Sequence, residues 1–162
     1  MRLISLCAGS DDAFALSLCG ALEKFGGALL IQKDSVIQKY LYEPDFIIYH
    51  SENRPKLNVS NALIIERSDN DGLIFSAFSD SEIESTFKVG LNSTNDITVS
   101  SIAESNVCIS VLSPIKTFSG KEQLPCEIKI KDSGNNDIYV LLAAITVLLL
   151  TDKIENKYFI EV

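Results

Sequence analysis

Short apolar runs, separated by polar turns and amphipathic segments, make up the first half of the chain. Phe14, Leu18 and Leu22 recur with a spacing of four, which places them on one face of a helix predicted over Asp12–Phe25. A shorter helix is predicted over Ser35–Leu41. Four apolar runs predict strands typical of a parallel sheet covered on both faces, namely Leu3–Cys7, Ala28–Gln32, Asp45–Tyr49 and Ala62–Glu66.

The second half has the alternating pattern of antiparallel strands. Every second residue from Val107 to Val111 is apolar, which is the period of a strand buried on one face. The predicted elements are a strand over Thr86–Leu91, a hairpin of Ile97–Ile102 with Val107–Leu112, a second antiparallel pair of Ile115–Phe118 with Glu127–Lys131, and a buried helix over Asn136–Leu150.

These patterns predict one domain of the α/β class. The chain has 162 residues, of which 46% are hydrophobic, enough to bury a sizeable core without disulfides or metals. We expect a Rossmann-like or P-loop-like layered fold, with a parallel half over residues 1–80 and an antiparallel half with the core helix over residues 81–162.

Charge and composition exclude several classes of partner. A net charge of −8, with no cluster of Lys or Arg, disfavours binding to the phosphate backbone of nucleic acids. The longest apolar run, Ile138–Leu150, has 13 residues where a membrane span needs about 20. Four dispersed cysteines and one histidine predict no metal site. We therefore expect a cytoplasmic protein with no membrane partner and reduced thiols.

The turn after the first strand has the position of a phosphate-binding loop but lacks its residues. The segment LCAGSDDAFA contains one glycine and no lysine, and it carries Asp11 and Asp12 before the predicted helix. A phosphate-binding loop would have several glycines and then Gly-Lys-Ser/Thr. Because the two carboxylates would cap the helix themselves and repel a triphosphate, we predict that phosphate binding has been lost.

The order of motifs resembles the central domain of Mur-type peptide ligases. KVGLN is followed by DITVSSI, a hairpin and GNNDIYVLLAAITVLLL, as in that family's TFGLN-like strand, hairpin and G-x-H-N-x-x-N-x-x-A-A-x-A helix start. Gly134, Asn136, Ala143 and Ala144 match this pattern, and Asn135 stands where the family has its histidine. The N-terminal strand, turn and ALEKFGG helix also resemble the family's ATP-binding start.

The departures from that pattern bear on function. The family's phosphate-binding lysine, its substrate-binding insert between the third and fourth strands, and its C-terminal ligase domain have no counterpart in this sequence. The resemblance therefore implies a reduced, non-catalytic core. Its expected role is binding a protein partner or a second copy of itself, with no cofactor, and a Mg-nucleotide is disfavoured.

Candidate ligand-binding residues lie where the predicted parallel strands end, because ligands of open α/β sheets bind outside the carboxyl ends of the strands. Carboxylates there could hold Mg²⁺ and His50 could act as a base, so a small Mg-dependent or ATP-dependent enzyme, or a nucleotide sensor without turnover, remain alternatives. Such residues are also polar simply because loops face water. The candidates are Ser10, Asp11, Lys33, Asp34, His50, Glu52, Glu66 and Asp69.

Overall fold

A computed structural model of the chain describes residues 2–7, 12–23, 29–33, 45–50, 62–67, 83–131, 136–154 and 159–161. The helix predicted over Ser35–Leu41 lies outside these residues. The described helices are α1 (Asp12–Glu23) and α2 (Ile138–Leu150). The described strands are β1 (Arg2–Cys7), β2 (Leu29–Lys33), β3 (Phe46–Tyr49), β4 (Ala62–Arg67), β5 (Ile83–Gly90), β6 (Ile97–Ala103), β7 (Asn106–Val111), β8 (Ile115–Lys116), β9 (Glu122–Gln123), β10 (Cys126–Lys131) and β11 (Phe159–Glu161).

Nine of the described strands form one mixed sheet in the order β11-β10-β7-β6-β5-β4-β3-β1-β2. Neighbouring strands from β2 to β6 are parallel, β7 is antiparallel to both of its neighbours, β6 and β10, and β11 runs parallel to β10. The mixed α/β class and the β6–β7 hairpin are thus confirmed. The parallel part extends past residue 80, however, because β5 and β6 continue it before the hairpin reverses the chain.

The second predicted antiparallel pair is wrong. β10 does not pair with the Ile115–Phe118 segment; it pairs with β7 over six residues, and β8 forms a separate two-stranded sheet with β9. In the longer ladder Ile128 lies opposite Ile109 and Ile130 opposite Val107, and all four side chains are buried. Burial of these apolar side chains stabilises the six-residue ladder of β10 with β7 more than a short connection could stabilise a nearer pairing. The short connection through SGKEQ closes only the two-residue ladder of β8 and β9.

Strand β11 was not predicted. It contributes only three residues and pairs with Lys129–Lys131 at the edge of the sheet. A run this short has no periodicity from which a strand could be recognised. Its place in the sheet depends on β10 being available beside it.

Asp96 fixes the point where the sheet changes direction. β5 and β6 share only the pairs Val89↔Ile97 and Gly90↔Thr98, so β6 continues past the end of β5. The carboxylate of Asp96 accepts hydrogen bonds from the Lys88 N–H at 2.9 Å and from the Ser113 hydroxyl at 2.9 Å. Its carbonyl accepts from the Leu112 N–H at 2.8 Å. One residue thereby joins the ends of β5, β6 and β7.

Helix α2 is the centre of the core, as predicted. Every residue from Val140 to Leu150 is buried, and α2 packs against α1 and strands β4, β5 and β6. It begins at Ile138, two residues later than predicted, because Asp137 is extended and its side chain accepts a hydrogen bond from the Tyr139 N–H at 2.8 Å. The buried Thr146 hydroxyl donates to the Leu142 carbonyl at 2.7 Å, so this polar group in the core is satisfied.

Both helices start at the same edge of the sheet. The first turn of α1 carries Phe14, and the first turn of α2 carries Tyr139; each lies against His50, just beyond the end of β3. At the opposite end of α2, the Leu150 carbonyl accepts from the Phe118 N–H, and Phe118 packs edge-on against Phe46 at the start of β3. The N-terminal ends of α1 and α2 therefore point toward the carboxyl ends of the parallel strands.

The C-terminal end of α2 depends on a non-glycine residue in the left-handed region. Asp152 has φ 56°, and the N–H groups of Asp152 and Lys153 donate to the carbonyls of Leu149 and Leu148. Desolvation is the largest single influence on the Asp152 pKa and raises it, but hydrogen bonds from Ser119 and Thr117, with the charge of Lys121, lower the pKa by more in sum. The net effect is a lowered pKa, so the ionised carboxylate stabilises the contact between the end of α2 and the turn at Thr117–Ser119.

Leu142→Asp should abolish soluble, folded protein. Leu142 is 0% exposed, and an unpaired carboxylate there would cost about 3–5 kcal/mol, a large part of the stability of a typical domain. Leu124→Asp is the matched control, because Leu124 is 63% exposed, and it should fold normally. Soluble expression and thermal melting are the measurements; a Leu142→Asp protein that melts like the parent would contradict the core position of α2.

Asp152→Asn should weaken the fold at neutral pH and lose that effect in acid. A carboxylate with a lowered folded-state pKa stabilises above its unfolded pKa, near 3.8, and this contribution disappears as the pH falls through the folded-state value. Asparagine tolerates the left-handed conformation, so the comparison isolates the charge. Because the group is partly solvated, we expect a difference below about 1 kcal/mol. Urea denaturation across that pH range measures it; a difference that grows in acid would be inconsistent with this sign.

Candidate functional site

The carboxyl ends of β1 and β3 mark the place where the strand order reverses. β1 lies between β2 and β3 and is parallel to both, so the chain leaves β1 to one side and later returns on the other. In open α/β sheets a crevice forms at such a switch point, and ligands bind there. This edge is therefore the place to look for functional side chains.

Two stacked rings stand at this position. The Phe14 and His50 rings have centroids 3.6 Å apart and planes inclined by 9°. Both residues are nearly fully buried, with 4% and 8% of their surfaces exposed. The space outside the end of β3 is thus occupied by the protein's own aromatic ring.

Tyr139 and Arg67 extend the group away from α1. The Tyr139 ring lies edge-on to His50 with centroids 6.2 Å apart and planes at 62°. The guanidinium carbon of Arg67 is 3.6 Å from the centroid of the Tyr139 ring, which is a cation–π contact. We call Phe14, His50, Tyr139 and Arg67 the edge cluster.

The local sequence explains why these four side chains meet. Tyr49 and Glu66 are partners in the β3–β4 ladder, so the next residues, His50 and Arg67, emerge side by side. Phe14 belongs to the buried face of α1 with Leu18 and Leu22. Tyr139 is in the first turn of α2, whose position is fixed by the Asp137 cap. Two strand ends and two helix starts therefore supply one residue each.

The edge cluster offers flat aromatic surfaces and one guanidinium cation. Such groups stack on planar rings and attract anions. Among the described residues no group of three or more His, Cys, Asp or Glu side chains could hold a metal ion. The cluster itself contains no carboxylate, the ligand that Mg²⁺ prefers.

Of the three predicted site residues that the structure describes, His50 belongs to the edge cluster and the other two do not. Lys33 is the last residue of β2, and Glu66 lies in β4 beside Tyr49. Three strand spacings separate β2 from β4, or about 14 Å, so Lys33 and Glu66 are not neighbours. The remaining candidates lie outside the described residues: Ser10, Asp11, Asp34, Glu52 and Asp69.

Sequence reasoning missed the other three members. Phe14 was assigned to the helix core face, Tyr139 was one letter in an apolar run, and Arg67 directly followed a predicted strand. The pattern that could have indicated them is that two helices beginning at the same edge of the sheet each carry an aromatic residue in the first turn. Recognising it requires knowing that α1 and α2 are neighbours.

The structure describes the side chains of three cysteines. Cys19, Cys108 and Cys126 are free thiols and partly buried. Burial, with the charge of Glu23, raises the pKa of the Cys19 thiol, and burial raises that of Cys126 despite a hydrogen bond from Gln123. Both changes reduce the thiolate fraction and with it nucleophilicity.

Comparison with known proteins gives no family. No protein-family model matches the sequence, and no curated protein matches it. No helix in the described part of the chain is long and apolar enough to cross a membrane.

The contact between Arg67 and Tyr139 should be measurable as a coupling energy. A double-mutant cycle with Arg67→Met and Tyr139→Leu is expected to give about 0.5–1 kcal/mol by urea denaturation, the range of a partly solvated cation–π pair. Tyr139→Phe, which keeps the ring, should retain most of the coupling. Additive single-mutant effects would mean that the two side chains do not stabilise each other.

Proposed function

We propose that this protein is a non-catalytic binding module built on a reduced Mur-ligase-like core. It acts in the cytoplasm and binds a protein partner or a second copy of itself, and it requires no cofactor. The layering is Rossmann-like in the broad sense of a doubly wound sheet. The strand order β2-β1-β3-β4-β5 supports this layering, because it is the order of flavodoxin-like folds, which are doubly wound sheets. It is not the 3-2-1-4-5-6 order of dinucleotide-binding domains.

The stack of Phe14 on His50 carries the proposal. An enzyme or nucleotide sensor of this architecture needs polar groups and open space at the switch point. Here an apolar ring, itself buried, fills that space from the first turn of α1. The interaction is one that a packed core would make.

The sequence of the preceding turn supports the same conclusion. It places Asp11 and Asp12 at the start of α1 and contains no lysine to contact a β- or γ-phosphate. Two carboxylates beside a triphosphate would repel it strongly in a partly desolvated site. Of the rival functions, the ATP-dependent enzyme and the nucleotide sensor need the phosphate interaction that these residues oppose, whereas a small Mg-dependent enzyme does not.

ATP, ADP and GTP should therefore show no saturable binding at concentrations up to about 1 mM with Mg²⁺, measured by calorimetry. The expected cause is the missing lysine together with the paired aspartates. A dissociation constant near 1 μM, which corresponds to about 8 kcal/mol of binding free energy, would overturn the proposal.

A graft tests the kinship separately. Residues 8–14 are replaced by a glycine-rich segment with Lys and Thr at the spacing of the Mur-type ligases, which also removes Phe14. If the frame is related to those ligases, the graft should melt at a lower temperature than the parent and be stabilised by Mg-ATP. A graft that folds well but gives no response to Mg-ATP would count against the kinship.

A further inference from the structure

The outer part of β6 has a neighbouring strand on one side only. β5 pairs with Ile97 and Thr98 and ends there, whereas β7 pairs with β6 as far as Ala103. In the described part of the chain no other strand lies on the β5 side of residues 99–103. We call this side of residues 99–103 the free edge. Residues 100–103 are all exposed, and an unpaired, exposed strand edge is a template for a further strand.

The free edge is the end of an apolar row that crosses three strands. Ile130, Val107 and Ile102 lie opposite one another on β10, β7 and β6. Ile130 and Val107 are 0% and 5% exposed, but Ile102 is 67% exposed. The bulge at Ser100 adds one residue between Val99 and Ile102 and so keeps Ile102 on the face of the sheet that Val107 occupies. The row therefore reaches the free edge with its last side chain uncovered.

The backbone groups of Ile102 are directed toward the free edge. Ala103 and Asn106 flank the two-residue turn at residues 104–105, and the pair that closes such a turn is hydrogen-bonded. Hydrogen-bonded and non-hydrogen-bonded pairs alternate along an antiparallel ladder, so the next pair, which contains Ile102, is non-hydrogen-bonded. The N–H and C=O of Ile102 therefore face away from β7, where another strand could reach them.

We propose that the free edge of β6 pairs with the free edge of a second copy of this chain, antiparallel and about a two-fold axis at Ile102. Ile102 exchanges both of its backbone hydrogen bonds with the same residue of the second copy, and Ser101 lies opposite Ala103 of that copy. The two apolar rows then join into one row that crosses three strands of each copy. This inference rests on the proposed function, in which a second copy is one of two kinds of partner, and it adds the surface and the register.

The composition and the length of the free edge favour a second copy over an unrelated strand. A two-fold interface places a surface against itself, so the exposed Ile102 meets an equally exposed apolar side chain. Residues 99–103 carry no charge, whereas the net charge of −8 makes much of the remaining surface repel a second copy. The regular part of the free edge lies between the bulge at Ser100 and the turn at residues 104–105, and Ile102 is its central residue. A two-fold axis requires such a centre.

The ladder is short, so the dimer is expected to be reversible. Each copy contributes only residues 101–103, which bury less than the roughly 1,600 Å² of a standard protein interface. We expect a dissociation constant between about 1 μM and 1 mM.

Sedimentation velocity from about 10 μM to 1 mM, the range of the expected dissociation constant, measures the self-association. The sedimentation coefficient of the parent should rise with concentration from that of a monomer toward that of a dimer. Ile102→Lys should remain monomeric throughout, because two like charges would lie directly opposite each other at the axis. Leu124→Lys is the matched control: it adds the same charge at a side chain that is 63% exposed and precedes β10, away from the free edge, and it should dimerise like the parent.

Ile102→Cys tests the register. The Cα atoms of a hydrogen-bonded antiparallel pair are about 5.5 Å apart, which is within the range of a disulfide. Mild oxidation should therefore give a covalent dimer linked through the two introduced thiols, as identified by mass analysis of the linked peptide. Ser100→Cys is the control, because residue 100 lies opposite residue 104 of the second copy and the two introduced thiols would be about 13 Å apart along the strands.

A parent that remains monomeric at 1 mM would overturn the pairing, as would an Ile102→Lys protein that dimerises as strongly as the parent. If Ile102→Lys does not fold, the oxidation experiment decides: Ile102→Cys that gives no more covalent dimer than Ser100→Cys contradicts the proposed axis. Each of these results would leave the proposed function open to a different protein partner. Tight binding of a nucleotide would overturn the proposed function and would leave the pairing of β6 unaffected.

Discussion

The burial of α2 is the constraint on which the described structure depends. Eleven consecutive residues of this helix are buried, so apolar surface must be provided on every side of it. Parallel strands β4, β5 and β6 cover one side and α1 covers another. The amphipathic face of α1 and the apolar inner face of the antiparallel strands are both explained by this single requirement.

The same requirement brings the edge cluster together. Because α1 and α2 must lie side by side on one face of the sheet, their first turns reach the carboxyl ends of β3 and β4 at the same height. Phe14 and Tyr139 then meet His50 and Arg67 without any further constraint. The position where the strand order reverses is therefore filled as a consequence of how the core packs.

Local pattern was sufficient for a hairpin whose two strands are close in sequence and for the buried faces of the two helices. The β6–β7 hairpin and α2 follow from alternation and from a 13-residue apolar run, and the apolar face of α1 follows from spacing. It was insufficient for β10, since the pattern of alternating isoleucine and lysine fits any antiparallel neighbour. The six-residue ladder with β7 was preferred to the nearer segment because it buries more apolar surface.

The sequence by itself determined the α/β class, the central helix, the acidic charge and the absence of lysine from the turn after the first strand. The tertiary structure decided that the parallel sheet continues to β6, that β10 joins β7, and that His50 is stacked rather than exposed at a polar rim. Hydrophobic periodicity specifies which face of a helix or strand is buried, but it does not specify which other element packs against that face. The partner depends on the sum of buried surface over elements distant in sequence, and that sum exists only in the folded chain.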